Sequence, residues 1–247
     1  MDARRFARSF DLLDLLVEHP GGLRLSEIAT LLEAPVSSVH DLLKAMASAG
    51  VVSLANGRNY TIGPRAIRLG FKVANAYDIK TLAQPHMKTL ASSIGDDVYL
   101  ALRIGNDVAC AARVAGNQPV SVNIRVGHIW PLHSTSAGKL FAAHDEQLRH
   151  LCLSNARRKY TPRTMVEADE LEREFAKVAK SGFAISREEM LANITGYATP
   201  VRDTSGHVIA AIHVAVLSGR AKGTHERKIR QESGVCAAAI EADLAAA

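Results

Sequence analysis

The chain has 247 residues, 47% of them hydrophobic and 22% charged, with a formal net charge of +5. That balance excludes a disordered chain and a membrane protein, and the length predicts two domains rather than one. Three widely separated cysteines, Cys110, Cys152 and Cys236, exclude a disulfide framework and a C-x-x-C zinc site, and read as buried apolar fillers.

Met1-Asp2-Ala3-Arg4-Arg5 leads into an amphipathic helix, which is not the pattern of a signal peptide. No apolar run reaches spanning length, so a cytoplasmic location is expected. Phe6, Phe10, Leu13 and Leu16 or Val17 give the first helix a stripe that should pack under the two helices after it. His19-Pro20-Gly21-Gly22 ends it. Leu25 to Leu32 reads as a short helix with Ser26 as N-cap, because a serine oxygen can accept from the free N–H groups of a first turn. Glu33-Ala34 makes a tight turn, and Pro35 suits the first position of the next helix. There Val36, Val39, Leu43 and Met46 form the buried stripe, while Ser37, His40, Asp41, Lys44 and Ser48 fall on the other face.

Gly50 stops that helix, and Val51 to Leu54 and Tyr60 to Ile62 flank Asn56-Gly57, a hairpin signal. Helix, turn, polar-faced helix and hairpin describe a winged helix-turn-helix whose second helix enters the major groove of duplex DNA. Ser37-Ser38 opens that helix with small hydroxyl side chains suited to close phosphate approach. Residues 1–72 carry nine Lys and Arg against seven Asp and Glu, so binding must rest on a few placed cations. Arg4, Arg5, Arg8, Lys44 and Arg58 are the candidates.

Pro64 to Tyr77 reads as a linking helix interrupted by Gly70, with Ile67, Leu69, Phe71 and Val73 spread around it rather than in one stripe. A helix near Ile79 to Ser93 should start or kink at Pro85. Val98 to Leu102 and Val108 to Ala112 read as a hairpin about Gly105-Asn106-Asp107, and the alternation over Val120 to Val126 predicts a third strand. Helices are expected near Ala137 to His144, Glu146 to Leu153 and Glu167 to Ser181. Strands should come next near Ala184 to Arg187, Ala198 to Arg202 and Val208 to Val216, then an alanine-rich helix from His225 to Leu244. This predicts an α+β domain on an antiparallel sheet with helices on one side. The expected boundaries are 1–63, 64–78 and 79–247.

Two motifs invite enzyme readings. Ser136-Ala137-Gly138-Lys139 fits S-x-x-K, but the companion elements of acyl-transferring serine enzymes are absent, and Lys139 is expected at the surface, as a cap or in a salt bridge. Gly138-Lys139 is no Walker A, because Leu140 follows the lysine and His133 stands where the first glycine belongs. His128 and His133 lack metal-ligand spacing, so no metal and no cofactor is expected.

Over nearly its full length the chain resembles the IclR family of bacterial transcriptional regulators. The resemblance rests on Leu25-Ser26-Glu27-Ile28-Ala29 through Val36 to Leu43, and on Val126-Gly127 with Pro131 to Lys139. Tyr160 to Thr164, Gly182-Phe183-Ala184, Glu188-Glu189, Thr199 to Asp203 and Gly206 to Ala211 add to it. It implies a winged helix-turn-helix, a linker helix and a GAF-like effector domain. It also implies homodimers, often homotetramers, on palindromic operators, and small organic acids as effectors. Carried over, effector contacts fall on His133, Ser134, Ser136 and Ala137, then on Ser186, Gly196, His213 and Ala215. Ser136, Ala137 and Gly138 open a helix whose free N–H groups can cradle a carboxylate. His213 lies in an apolar strand, where a core role and a ligand contact are both open.

Two departures from the family stand out. Asp41 replaces a cation common in relatives; it either reads cytosine N4 or pairs locally with Lys44. Asn193-Ile194-Thr195-Gly196 stands where relatives commonly carry Gly-Val-Arg-Cys or similar. Small Gly196 and Ala215 leave space for an effector larger than a two- or three-carbon acid, with an aromatic acid as the expected class.

Overall fold

The computed structural model describes residues 3–75 and 78–246, with side chains described at 6–70 and 79–246. It falls into two compact units, residues 1–77 and 78–247. The first contains α1 (Ala3–Glu18), α2 (Leu25–Leu31), α3 (Val36–Ser48), a hairpin of β1 (Val52–Ala55) and β2 (Asn59–Ile62), and α4 (Pro64–Asn75). Leu12, Leu16, Ile28, Val39, Leu43 and Val52 make its core.

Several local expectations need correction. Phe6 and Phe10 stack edge to face on the exposed side of α1, because Leu12 and Leu16, one turn apart, take the buried stripe. Helix α2 begins one residue before Ser26, and the Glu27 carboxylate accepts from the Arg24 N–H at 2.7 Å in place of a serine cap. Pro35 precedes α3 as its N-cap, with its carbonyl accepting from Val39 N–H. Val36 is exposed, and Leu42 joins Val39, Leu43 and Met46 inside. The hairpin turns where expected, with Asn56 and Gly57 both in the left-handed region, as a primed turn requires. Helix α4 runs through Gly70 without interruption; Ile67 and Leu69 are exposed, and the Phe71 and Val73 side chains lie outside the described residues.

The second unit runs α5 (Asp78–Ile94), β3 (Asp97–Ile104), β4 (Asp107–Val114), β5 (Ile129–Trp130), α6 (Ser136–His144) and α7 (Glu146–Ser154). Then come α8 (Ala168–Ser181), β6 (Ala184–Arg187), β7 (Ile194–Arg202), β8 (Val208–Leu217) and α9 (Gly223–Ala246). Pro85 sits inside α5 rather than starting it. The strands form one six-stranded antiparallel sheet in the order β5-β4-β3-β8-β7-β6.

Helices cover both faces of this sheet, not one. Val98, Leu100, Tyr197, Ile212 and Val214 pack toward α5 and α9, while Tyr99, Ala101, Ala198, Ala211 and Ala215 pack toward α6, α7 and α8. The unbroken apolar run of β8, buried from Ala210 to Val216, is what two covered faces demand. Residues 120–126 form no strand. Their place beside β4 is held by β5, with Val108 opposite Trp130 and Ala109 opposite Ile129. Val122 and Ile124 instead lean against the core on the α6 side, while Val120 and Val126 are exposed. The Tyr99 hydroxyl donates to the Val122 carbonyl, and Arg113 donates to Asn123 at 2.8 Å, pinning this segment. All three cysteines are buried free thiols.

Candidate effector site and nucleic-acid interface

On α3, burial of Val39, Leu42, Leu43 and Met46 turns Ser37, His40, Asp41, Lys44 and Ser48 outward, with Ser38 half-buried. Asp41 lies 3.7 Å from His40, and among the described residues it forms no pair with Lys44. Arg58 is exposed in the turn between β1 and β2. It lines one shallow concavity with Arg24, Leu25, Ser26 and Val36, so the wing turn and the starts of α2 and α3 share a face. The sequence reading missed Arg24; a cation just ahead of a short helix was the available signal. Arg8 is half-buried, and the Arg4 and Arg5 side chains lie outside the described residues.

The second unit holds a cavity between the start of α6, strands β7 and β8, and the 122–130 segment. It offers about 80 Å³ to the centres of water-sized molecules, enough for several waters. Ser136, Ser186, Gly196, His213 and Ala215 line it, together with Thr135, His128 and the apolar Val122, Ile124, Trp130, Met190, Leu191 and Ile194. Among the described residues, none of those lining it is Lys, Arg, Asp or Glu.

Three residues carried over from the resemblance stand elsewhere. His133 points away, its Nε2 2.9 Å from the Arg158 carbonyl and its ring stacked on Tyr160. Burial holds its pKa below the usual histidine value. Ser134 turns its hydroxyl to Met190 Sδ, and its carbonyl accepts from Ser186 at 2.6 Å. Ala137 is fully buried in the core beneath α6. The helical rotation of about 100° per residue explains this: it brings Thr135 and Ser136 to the cavity and carries Ala137 inward.

His213 is the cavity's polar anchor. Its Nδ1 lies 2.9 Å from Ser136 Oγ, and its ring is wedged between Tyr99, at 5.7 Å, and Trp130, at 5.0 Å. Burial pushes its pKa down to about 4, so the ring is neutral. Across the sheet Gly196 pairs with Ala215, and a Cβ at Gly196 would stand 2.9 Å from His213 Cε1. Thr135 caps α6, its hydroxyl accepting from Gly138 N–H and its carbonyl from Lys139 N–H. Helix geometry gives the Ser136 and Ala137 N–H groups of the first turn no intrahelical acceptor, and the positive end of the helix lies there.

Lys139 is not at the surface. It is fully buried, with its ammonium 2.6 Å from Glu189 and 3.9 Å from Glu174. That pairing takes it away from Ser136, so the S-x-x-K arrangement of nucleophile and base is not assembled. Among the described residues, Ser136 and His213 have no carboxylate that would orient a base; burial is what shifts the imidazole. Among the described residues, no three His, Cys, Asp or Glu side chains converge to hold a metal ion.

With this geometry established, comparison with known proteins decides the lineage. Residues 71–242 match the model of the bacterial transcriptional regulator IclR C-terminal domain, and residues 6–54 match the IclR helix-turn-helix domain. The chain belongs to the IclR family. It is therefore a DNA-binding transcriptional regulator with a C-terminal effector domain. It is 28% identical over 236 residues to the HTH-type transcriptional repressor AllR of Escherichia coli K12, covering 93% of this chain and 85% of that one.

An IclR homolog from Microbacterium hydrocarbonoxydans, solved in complex with 4-hydroxybenzoate, superposes with a TM-score of 0.85 at 25% identity, covering 98% of this chain and all of that one. The IclR of Thermotoga maritima gives 0.74 at 26% identity, covering 98% and 99%. Among the described residues of this IclR-family chain, no helix is long and apolar enough to cross a membrane.

Proposed function

We propose that this regulator senses a small organic acid bearing an apolar, aromatic ring and controls a catabolic operon by binding a palindromic operator as a homodimer or a pair of dimers. The observation that carries the effector class is the character of the cavity. It has hydroxyls at the α6 end, apolar walls and, among the described residues, no charged side chain in its lining. The Ser136 and Ser186 hydroxyls, with the positive end of α6 behind them, suit a carboxylate; Trp130, Ile124 and Leu191 suit a ring. The volume favours one ring over two. The 4-hydroxybenzoate complex of the Microbacterium protein supports the same class.

On the DNA side, Ser37, Ser38, His40, Asp41 and Lys44 are the groove-facing set, and Arg58 and Arg24 meet phosphate. Half-sites about one helical turn apart, on the order of 10 bp, suit one dimer. The effector changes DNA affinity only by its differential affinity for the DNA-competent and incompetent arrangements.

The test is mobility shift of the full chain on its own upstream intergenic DNA, across a salt series, with aromatic and aliphatic acids added singly. A specific, salt-sensitive shift altered by an aromatic acid is expected. Response only to glyoxylate- or pyruvate-sized acids removes the ring from the proposal. No specific shift on any upstream fragment points to a ligand-binding module that has lost its operator, with Asp41 the first residue to restore to a cation.

A further inference from the structure

Segment 188–193 forms one wall of the cavity through Met190 and Leu191. It starts and ends on residues with left-handed backbone, Glu188 at φ +60° and Asn193 at φ +64°. Its main chain is tied down at several points. The Glu188 carbonyl accepts from Thr161 at 2.7 Å and that of Glu189 from Thr164 at 2.6 Å. Asn193 accepts from Ser218 N–H at 2.8 Å.

The side-chain tie is different in kind. Glu189 Oε1 meets the fully buried Lys139 ammonium at 2.6 Å, and Lys139 lies one turn along α6 from Ser136, which opens the cavity's donor end. Glu189 Oε2 has no partner among the described residues. Burial raises the Glu189 carboxyl against the pull of Lys139. Oε1 also accepts from Arg187 N–H at 3.3 Å, but a buried pair with one carboxylate oxygen unpartnered often stabilises a fold no better than apolar side chains of equal volume. Stability does not account for it; its position does, since it joins the donor end of the cavity to the apolar wall.

We propose that Lys139 and Glu189 are positioning residues for effector recognition, setting where Met190 and Leu191 stand and so which acids the cavity accepts. This rests on the reading of the cavity as the effector site.

The test compares wild type with Lys139→Met/Glu189→Leu, which removes both charges together and spares the fold an unpaired one. Glu174→Gln serves as a control for the more distant carboxylate. Full-length chains carry ¹³C-methyl methionine, with the Met190 signal assigned by Met190→Leu. Melting temperatures are recorded, and benzoate and 2-naphthoate are titrated by calorimetry.

The expected result is a near-wild-type melting temperature in the double variant, a displaced or broadened Met190 methyl signal, and a benzoate-to-naphthoate affinity ratio moved by about tenfold or more. An unmoved methyl signal overturns the proposal, and so does an unmoved ratio. If wild type binds neither acid, the effector reading falls, while the methyl signal still decides whether the pair positions the wall.

Discussion

Gly196→Ala tests the cavity at its tightest point. Gly196 is not in the left-handed region, so its backbone tolerates alanine; the obstacle is contact. The new methyl would lie 2.9 Å from His213 Cε1 and 3.0 Å from Ser136 Oγ, both well inside ordinary van der Waals separation. The imidazole cannot swing aside freely, because Tyr99 and Trp130 hold it between them.

Removing a glycine from the unfolded chain favours folding by about 0.4–1 kcal/mol, whereas overpacking a filled site costs about 1–3 kcal/mol. Overpacking wins here because the neighbour is a wedged ring, and straining the Ser136–His213 bond adds about 0.5–1.5 kcal/mol. The net loss is about 0.5–4 kcal/mol, roughly 1–16 °C in melting temperature for a domain of this size. The methyl also takes up room needed by a ring, so affinity for 4-hydroxybenzoate should fall by about tenfold or more. Scanning calorimetry and titration on the same preparations read both effects. A variant that melts at or above wild type and binds as well would refute the argument that His213 is clamped.

Three further outcomes are expected from the same geometry. The unfolded chain takes up a proton on His213 as pH falls through about 6.5, while the buried ring resists until about 4; stability is therefore full above this window and declines across it, by about 3 kcal/mol at the lower end. His213→Gln should flatten that decline in urea melts run between these pH values, and an unaltered slope would take His213 out of the account. Arg58→Ala should weaken binding to all duplexes and reduce the salt slope by about one, whereas Ser38→Ala or His40→Ala should change base preference; an unaltered slope would move the wing turn off the DNA. Gly138→Ala would set a Cβ 2.3 Å from the Pro131 carbonyl oxygen and 2.7 Å from Leu132 Cα, backbone that cannot yield, so a loss above about 3 kcal/mol is expected, and a melt within a degree of wild type would contradict it.

The N-terminal unit was legible because its signals are local. A glycine stop at Gly50, the Asn56-Gly57 turn and helical spacing from Val39 to Met46 act within a few residues of themselves. Errors came where local patterns tie. Phe6-Phe10 and Leu12-Leu16 are both i,i+4 apolar pairs on α1, and only the tertiary cluster with Ile28, Val39 and Val52 decides which is buried. The alternation of Val120 to Val126 has the period of a strand, yet a strand also needs a partner edge, and β5 holds it.

In the effector domain, what the chain order alone determined was the sequence of elements apart from β5, the buried strand around His213 and the small residues at 196 and 215. These depend on periodicity and side-chain volume, which neighbours in sequence carry with them. Only the tertiary structure decided that Ser136 meets His213 across 77 positions, that His133 turns away to Tyr160, and that Lys139 is drawn inside by Glu189. Each of those outcomes depends on which group a side chain meets when a strand or helix distant in sequence is packed against it, and a one-dimensional pattern contains no such distances.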